Sequence, residues 1–285
     1  MKPAPFHYHA PVYVEEAVAR LAEVAADGGL VLAGGQSLVP TMAFRLASPD
    51  HLVDINRIEG LDRLTVEEDM LCIGANVRHA AFHEPVVRGP LGVLLTQVVR
   101  HIAHYPIRQR GTFCGSLAQA DPASEWCLVA QTLGAVLTTR SVRGSRDIHA
   151  REFTRGAMAT ALEADELLIE TRIPLLRAGS RFGFSEFSRR AGDFALAMAL
   201  AVYRLEEGVI ADPHIGIGGV EDRPRRIEEA EQILAGSKPG PAVFKAAAEA
   251  AAKAIDPFSD ATTSAEYRRC LVVTMIRRAL GQTWE

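Results

Sequence analysis

The stretch Val31-Leu32-Ala33-Gly34-Gly35-Gln36-Ser37-Leu38-Val39-Pro40-Thr41-Met42 runs from an apolar segment through paired glycines into a helix start. Residues 30–33 are short and apolar enough for a buried strand, and Gly34-Gly35 permits a tight turn or a close backbone approach that a β-carbon would block. Ser37 is placed to cap the helix, with Pro40 in the first turn, where its missing N–H costs little. Free amides in such a bend, together with a helix N-terminus, favour an anion, most often phosphate.

A second bend lies about eighty residues further on, Arg110-Gly111-Thr112-Phe113-Cys114-Gly115-Ser116-Leu117-Ala118-Gln119-Ala120-Asp121-Pro122-Ala123-Ser124-Glu125. It again joins glycine and small hydroxyl residues to a helix entry, with Asp121-Pro122 read as turn and cap. Two such loops can hold the two ends of one diphosphate. Neither has G-x-x-x-x-G-K-[ST], and Gly216-Ile217-Gly218-Gly219-Val220-Glu221 fails G-x-G-x-x-G at its last position. From the residues alone the reading stops at a dinucleotide or diphosphate site.

The pairing of A-G-G-Q-S-L-x-P-x-M with R-G-T-x-x-G-S-L-A-x-A-D-P-A-S-E resembles the FAD-binding medium subunit of molybdenum hydroxylases, the family of xanthine dehydrogenase and aerobic carbon monoxide dehydrogenase. The likeness runs from Phe6 almost to the C-terminus, through Leu52-Val53-Asp54-Ile55-Asn56-Arg57-Ile58, Gly192-Asp193-Phe194-Ala195 and Tyr267-Arg268-Arg269. The resemblance implies an α+β fold in which two small α/β subdomains sandwich FAD, the PCMH-type FAD-binding fold. A C-terminal antiparallel three-stranded sheet with a three-helix bundle follows. The expected units are 1–57, 58–176 and 177–285. Ala33, Gly34, Gly35, Gln36 and Ser37 then fall on the first diphosphate loop, and Thr112, Cys114, Gly115 and Ser116 on the second. Glu125 matches a carboxylate that contacts FAD, Leu168 a position beside the adenine, and Ile102 an apolar or aromatic contact. Asp193 and Phe194 correspond to the loop beside the isoalloxazine. Leu32, Gly111, Ala120, Asp121 and Ser124 complete the implied cofactor-binding set.

The resemblance also implies partners: a small subunit with [2Fe-2S] clusters and a large molybdopterin subunit, assembled as a dimer of heterotrimers, with electrons leaving through FAD to an external acceptor. Arg189-Arg190 is a candidate docking surface. Two positions depart from the family pattern. Cys114 stands where many members have the first glycine of T-x-G-G, so negative φ and a side chain are expected there. Ser185 stands where animal xanthine dehydrogenases carry a lysine near the flavin. A self-contained flavin oxidoreductase, or a scaffold subunit that has lost FAD, remains an alternative.

Composition narrows the field further. The chain has 285 residues, 48% hydrophobic and 23% charged, with net charge -4, which disfavours a general nucleic-acid binder. No apolar run approaches a membrane span and no basic-then-apolar leader opens the chain, so a cytoplasmic location is expected. The four cysteines contain no C-x-x-C pair, which fits isolated thiols better than a zinc or iron-sulfur site. His79 and His83 stand at i, i+4, and His101 and His104 at i, i+3, without the glutamate of H-E-x-x-H. Hydrogen-bonded histidine is the reading for each, and no metal site is expected. No G-x-S-x-G elbow is present, and Asp121 and Glu125 read as helix-start carboxylates.

Along the chain, periodicity predicts a helix over 15–26, a hairpin over 61–74 around Glu67-Glu68-Asp69, a short helix over 77–84 and a longer one over 92–105. A helix over 124–133 and strands over 135–139, 146–150 and 166–173 follow. Pro, Gly and Ser around 175–180 mark a boundary. Beyond it, 182–189, 194–205 and 209–218 suggest an antiparallel meander, with the alanine-rich run from Ala195 ambiguous between strand and helix. Three helices, 226–235, 241–254 and 264–280, complete the chain.

Overall fold

A computed structural model describes residues 2–284. The first layer holds strands β1 (His7–His9), β2 (Gly29–Leu32) and β3 (His51–Asp54), paired in parallel in the order β1-β3-β2. Helix α1 (Val14–Val24) buries Ala17, Val18, Leu21 and Val24, one stripe of its amphipathic face. The short helix α2 (Leu38–Ala43) follows the first glycine bend.

The second layer is a five-stranded antiparallel sheet. Strands β4 (Leu64–Glu67) and β5 (Met70–Gly74) form the expected hairpin, turning at Glu68 with φ 53. Residues His79–His83 form one 3-10 turn rather than a longer helix. The helix expected over 92–105 is two: α3 (Pro90–Val98) and α4 (Tyr105–Arg108). Pro106 sits in the first turn of the second, where it forfeits no hydrogen bond. Helices α5 (Phe113–Gln119) and α6 (Glu125–Leu133) come next, then strands β6 (Val136–Ser141) and β7 (Gly144–His149). A turn of helix α7 (Ala150–Phe153) and a small hairpin of β8 (Thr154–Gly156) and β9 (Ala159–Thr160) had no clear periodic signal. Strand β10 (Leu167–Pro174) closes the sheet in the order β4-β5-β10-β6-β7.

The third layer corrects the expected three-stranded sheet to four. Strands β11 (Arg181–Phe187), β12 (Ala197–Glu206) and β13 (Val209–Gly218) form the meander, and β14 (Arg225–Arg226) adds a short edge. Glu207 and Gly208 both have positive φ, 52 and 80, the geometry of a two-residue hairpin turn that matches strand twist. Helices α8 (Glu228–Leu234), α9 (Pro241–Ala254) and α10 (Ala265–Gln282) cover one face.

Two cores organise these layers. One runs from Ala17 and Val53 through Phe82, Phe113 and Trp126 to Leu167, so the expected units 1–57 and 58–176 share it. The other joins β12 and β13 to the three helices. Strand β12 belongs to both: Met198, Leu200 and Val202 face the first core, and Ala197, Ala199, Ala201 and Tyr203 the second. The sheet of the third layer is therefore buried on both sides, and small residues admit close packing. A methyl group at Gly183 would lie 2.0 Å from the Ala279 carbonyl of α10, and one at Gly216 would lie 1.9 Å from Thr132 Oγ1 of α6.

Candidate cofactor cleft

The two glycine bends meet. A β-carbon at Gly34 would lie 2.3 Å from the Arg110 carbonyl oxygen and 2.7 Å from Gly111 Cα, so only glycine lets the loops touch. Between them opens a cleft of about 350 Å³, lined by residues 29–38, His79, Gly111, Thr112, Gly115, Ser116, Ala118, Gln119 and the segment Leu162 to Ala164 with Glu166. A larger hollow of about 600 Å³ between α9 and α10, lined by Glu249, Ala252, Lys253, Glu266, Arg269, Cys270 and Val273, is shallow and open to solvent. Concavity plus converging polar groups marks a ligand site, and the smaller cleft has both.

On the first bend, Gly35 takes φ +70 and the Gln36 side chain donates to the Gly34 carbonyl at 3.0 Å. Among the described residues, the amides of Gly34, Gly35, Gln36 and Ser37 donate to no group of the chain. Ser37 stands at the N-cap of α2, but its backbone is already helical (φ -104, ψ -50) and its hydroxyl makes no capping bond, which corrects the expectation. That hydroxyl and four amides are left at one concavity, a nest suited to an anion.

The second bend is better braced. Thr112 caps α5, its hydroxyl accepting from the Gly115 amide at 3.0 Å, and a β-carbon at Gly115 would strike that hydroxyl at 2.5 Å. Cys114 does take a side chain without strain, on α5. Its thiol points into the core, 3.3 Å from Thr171 Oγ1 and 3.5 Å from the Ile73 carbonyl oxygen, and burial pushes its pKa up to about 12. Cys114 thus lies outside the lining of the cleft, which corrects its expected place on the diphosphate loop, although among the described residues its amide donates to no group.

A relay joins the bends from behind. Asn56 Nδ2 donates to the Ala33 carbonyl at 2.8 Å, Arg78 Nη2 to Asn56 Oδ1 at 2.6 Å, and Arg78 Nη1 to the Arg110 carbonyl at 2.5 Å. Asp54 Oδ1 accepts from the Asn56 amide at 2.8 Å and so orients the relay. Sequence reasoning quoted Asp54 and Asn56 only as part of a family string and gave Arg78 no role; contacts over such separations leave no local pattern. It also left His79 as an ordinary hydrogen-bonded histidine.

The structure brings Leu32, Ala33, Gly34, Gly35, Gln36, Ser37, Gly111, Thr112, Gly115 and Ser116 to the cleft. Other expected site residues lie outside its lining. Ala120 ends α5 in the left-handed region (φ 52). Asp121 accepts from the Ala123 amide at 2.8 Å, and Ser124, not Asp121-Pro122, caps α6. Leu168 is buried on β10 and Ile102 in the turn after α3. Asp193 and Phe194 sit on a loop after β11, where Phe194 is 73% exposed, far from an ordinary core aromatic. Ser185, buried on β11, approaches Met275 Sδ at 3.3 Å.

Glu125 is buried at the start of α6, and burial, followed by repulsion from Asp121, raises its carboxyl well above the usual range. Glu186, on β11, is raised further, by burial and then by Glu125. Among the described residues its Oε2 accepts no hydrogen bond, and His101 Nδ1 lies 3.8 Å from it. His101 is itself pushed by burial towards its neutral form.

Layered sheets with a cleft of free amides between two glycine bends have the form of a diphosphate-binding site. Residues 4–176 match the family described as the FAD binding domain in molybdopterin dehydrogenase, and residues 182–283 match the CO dehydrogenase flavoprotein C-terminal domain. The chain belongs to this family of FAD-binding medium subunits of molybdenum hydroxylases. It is 39% identical over 281 residues to the nicotine 6-hydroxylase medium subunit of Paenarthrobacter nicotinovorans, covering 98% of each chain. A chain of carbon monoxide dehydrogenase from Hydrogenophaga pseudoflava superposes with a TM-score of 0.95 at 34% identity, over 100% of this chain and 99% of that one. A chain of quinoline 2-oxidoreductase from Pseudomonas putida 86 gives 0.92 at 33% identity, over 99% and 98%.

Proposed function

We propose that this chain is the electron-exit subunit of a molybdenum hydroxylase, holding FAD non-covalently in the cleft between the two bends. Electrons would come from [2Fe-2S] clusters of a small partner subunit and leave to an external acceptor, while substrate is hydroxylated on a large molybdopterin subunit. A dimer of heterotrimers in the cytoplasm, and an N-heteroaromatic substrate, complete the reading; the nicotine and quinoline enzymes among the relatives support the substrate class. Arg189 is tied to Thr262 and Thr263, which leaves Arg190 as the freer member of the proposed docking pair.

The observation that carries this reading is the set of unpaired amides at Gly34 to Ser37, facing the Thr112-capped helix across a contact only glycine permits. When bound, FAD would supply the redox chemistry, taking single electrons from the clusters and passing them on to the acceptor. The chain's own residues do the rest. The amides of Gly34 to Ser37 are available to a diphosphate without desolvating a charged side chain. The Asn56–Arg78 relay keeps the two bends in register, and the α5 N-terminus adds the favourable end of its peptide dipoles. The side chain of Cys114, the feature that suggested a flavin-less scaffold, is turned away and blocks none of this.

The test is to purify the full chain, record the absorption bands of oxidised flavin, and identify FAD after heat release. A colourless chain that takes up no added FAD overturns the reading. Isolation with its neighbours should give a complex that oxidises an N-heteroaromatic, whereas the isolated chain should not. Turnover by the chain alone would favour the self-contained oxidoreductase.

A further inference from the structure

His79 lies between the bends with its ring held on several sides. Trp126 Nε1 donates to Nδ1 at 2.9 Å, the main-chain amide of His79 donates to the Gly111 carbonyl at 2.9 Å, and both rings are buried. Gly111 lies against the imidazole edge: a β-carbon there would be 2.5 Å from Nε2 and 2.7 Å from Cδ2. An indole N–H can only donate, so Nδ1 must present its lone pair and the ring proton must sit on Nε2. Among the described residues Nε2 has no hydrogen-bond partner, and His79 is part of the cleft wall.

The ring is also held neutral. Burial, then the positive charges of Arg108 on α4 and of its neighbour Arg78, bring its pKa down to about 3. Protonation would in addition place an Nδ1–H against the Trp126 N–H. The residue is thus a neutral donor in a single tautomer, set beside the point where Gly34 meets Gly111, in the wall of the cleft that the free amides of the first bend also line. A metal-ligand role is disfavoured, because Trp126 occupies one nitrogen and the other carries the proton.

We propose that His79 binds the cofactor directly, giving its Nε2–H to a phosphoryl oxygen of the FAD diphosphate, with Trp126 as the positioning residue that fixes the tautomer. The inference rests on the FAD reading and adds to it a side-chain donor among main-chain ones. Because the donor is uncharged and does not titrate near neutrality, this contact holds the diphosphate with the same strength on either side of the ordinary histidine range.

The experiment uses the full chain stripped of flavin and titrated with FAD, followed by flavin fluorescence and by nitrogen-proton correlation of the imidazoles. The wild-type His79 should show the Nε2–H tautomer, with its proton signal moving downfield on FAD addition. His79→Phe should weaken FAD binding roughly tenfold to a hundredfold, the effect of one hydrogen bond to a charged acceptor. His79→Gln, which keeps a donor, should regain part of the loss. Since His79→Phe strands the Trp126 N–H, the double variant with Trp126→Phe removes that defect and should still bind FAD as weakly. An Nδ1–H tautomer, or His79→Phe binding FAD as tightly as the wild type, overturns the proposal and leaves the FAD reading standing. A wild-type chain that takes up no FAD removes both.

Discussion

Gly34 is the residue on which the cleft depends, because the atoms it touches are backbone. Its missing β-carbon leaves room for the Arg110 carbonyl, and no rotamer change can relieve a methyl group placed 2.3 Å from that oxygen. Gly34→Ala should therefore part the two bends, costing about 1–3 kcal/mol through overpacking and losing bound flavin. Thermal denaturation and the flavin-to-protein absorbance ratio check both halves. A second residue-scale consequence concerns Glu125 and Glu186, whose carboxyls are both raised by burial, Glu125 further by Asp121 and Glu186 further by Glu125. The folded chain keeps these protons to higher pH than the unfolded chain does, so their contribution is full below the ordinary glutamate pKa and is lost as pH rises through the raised values. Each retained proton makes stability fall by about 1.4 kcal/mol per pH unit within that window. Glu186→Gln should flatten the decline between roughly pH 6 and 9, measured as unfolding midpoints in denaturant across pH.

Among the elements, α10 shows how a short family string becomes a structural joint. Arg268, only 3% exposed, donates to the Leu196 carbonyl at 2.8 Å and the Gly219 carbonyl at 2.6 Å, pairs with Asp260 at 2.5 Å and stacks on Phe258. It ties the last helix to the ends of β12 and β13. Arg268→Leu would strand two carbonyls and should destabilise by about 3 kcal/mol, read from denaturant unfolding, with less effect on flavin uptake in the surviving folded fraction. Elements with one solvent face were legible: α1, the β4–β5 hairpin and α9 lie within a few residues of where periodicity puts them. Strand β12 was not. Its alternate residues feed two different cores, so no polar face breaks the apolar run, and alanine adds helix propensity that tertiary packing overrides. The edge strand Arg225–Arg226 escaped for the opposite reason. It consists of two arginines held by Glu221 and Glu231, with no apolar signal. In the cleft, both glycine bends were legible because glycine and hydroxyl residues cluster locally. His79, Arg78 and the role of Asn56 were not, because their partners lie 22 to 47 positions away.

Across the whole molecule, the position of the cleft decides what cofactor loss should do. The first layer is a parallel sheet of three short strands, too small to be stable alone, and it joins the larger core through α1, Val53 and Ile55. The cleft lies along the seam between that layer and the second sheet, and none of its lining residues belongs to α8, α9 or α10. A ligand gripping both bends adds a linkage across the seam. At free FAD one hundred times its dissociation constant, the folded state gains about 2.7 kcal/mol. The local effect should be uneven. Hydrogen exchange in the stripped chain should rise over residues 29–43 and 110–119 and fall again on FAD addition, while residues 265–282, packed in the second core, should change little. Gly34→Ala should abolish the FAD-dependent protection without altering exchange in α10. Uniform protection throughout the chain, or protection confined to the α9–α10 hollow, would place the bound cofactor somewhere other than between the two bends.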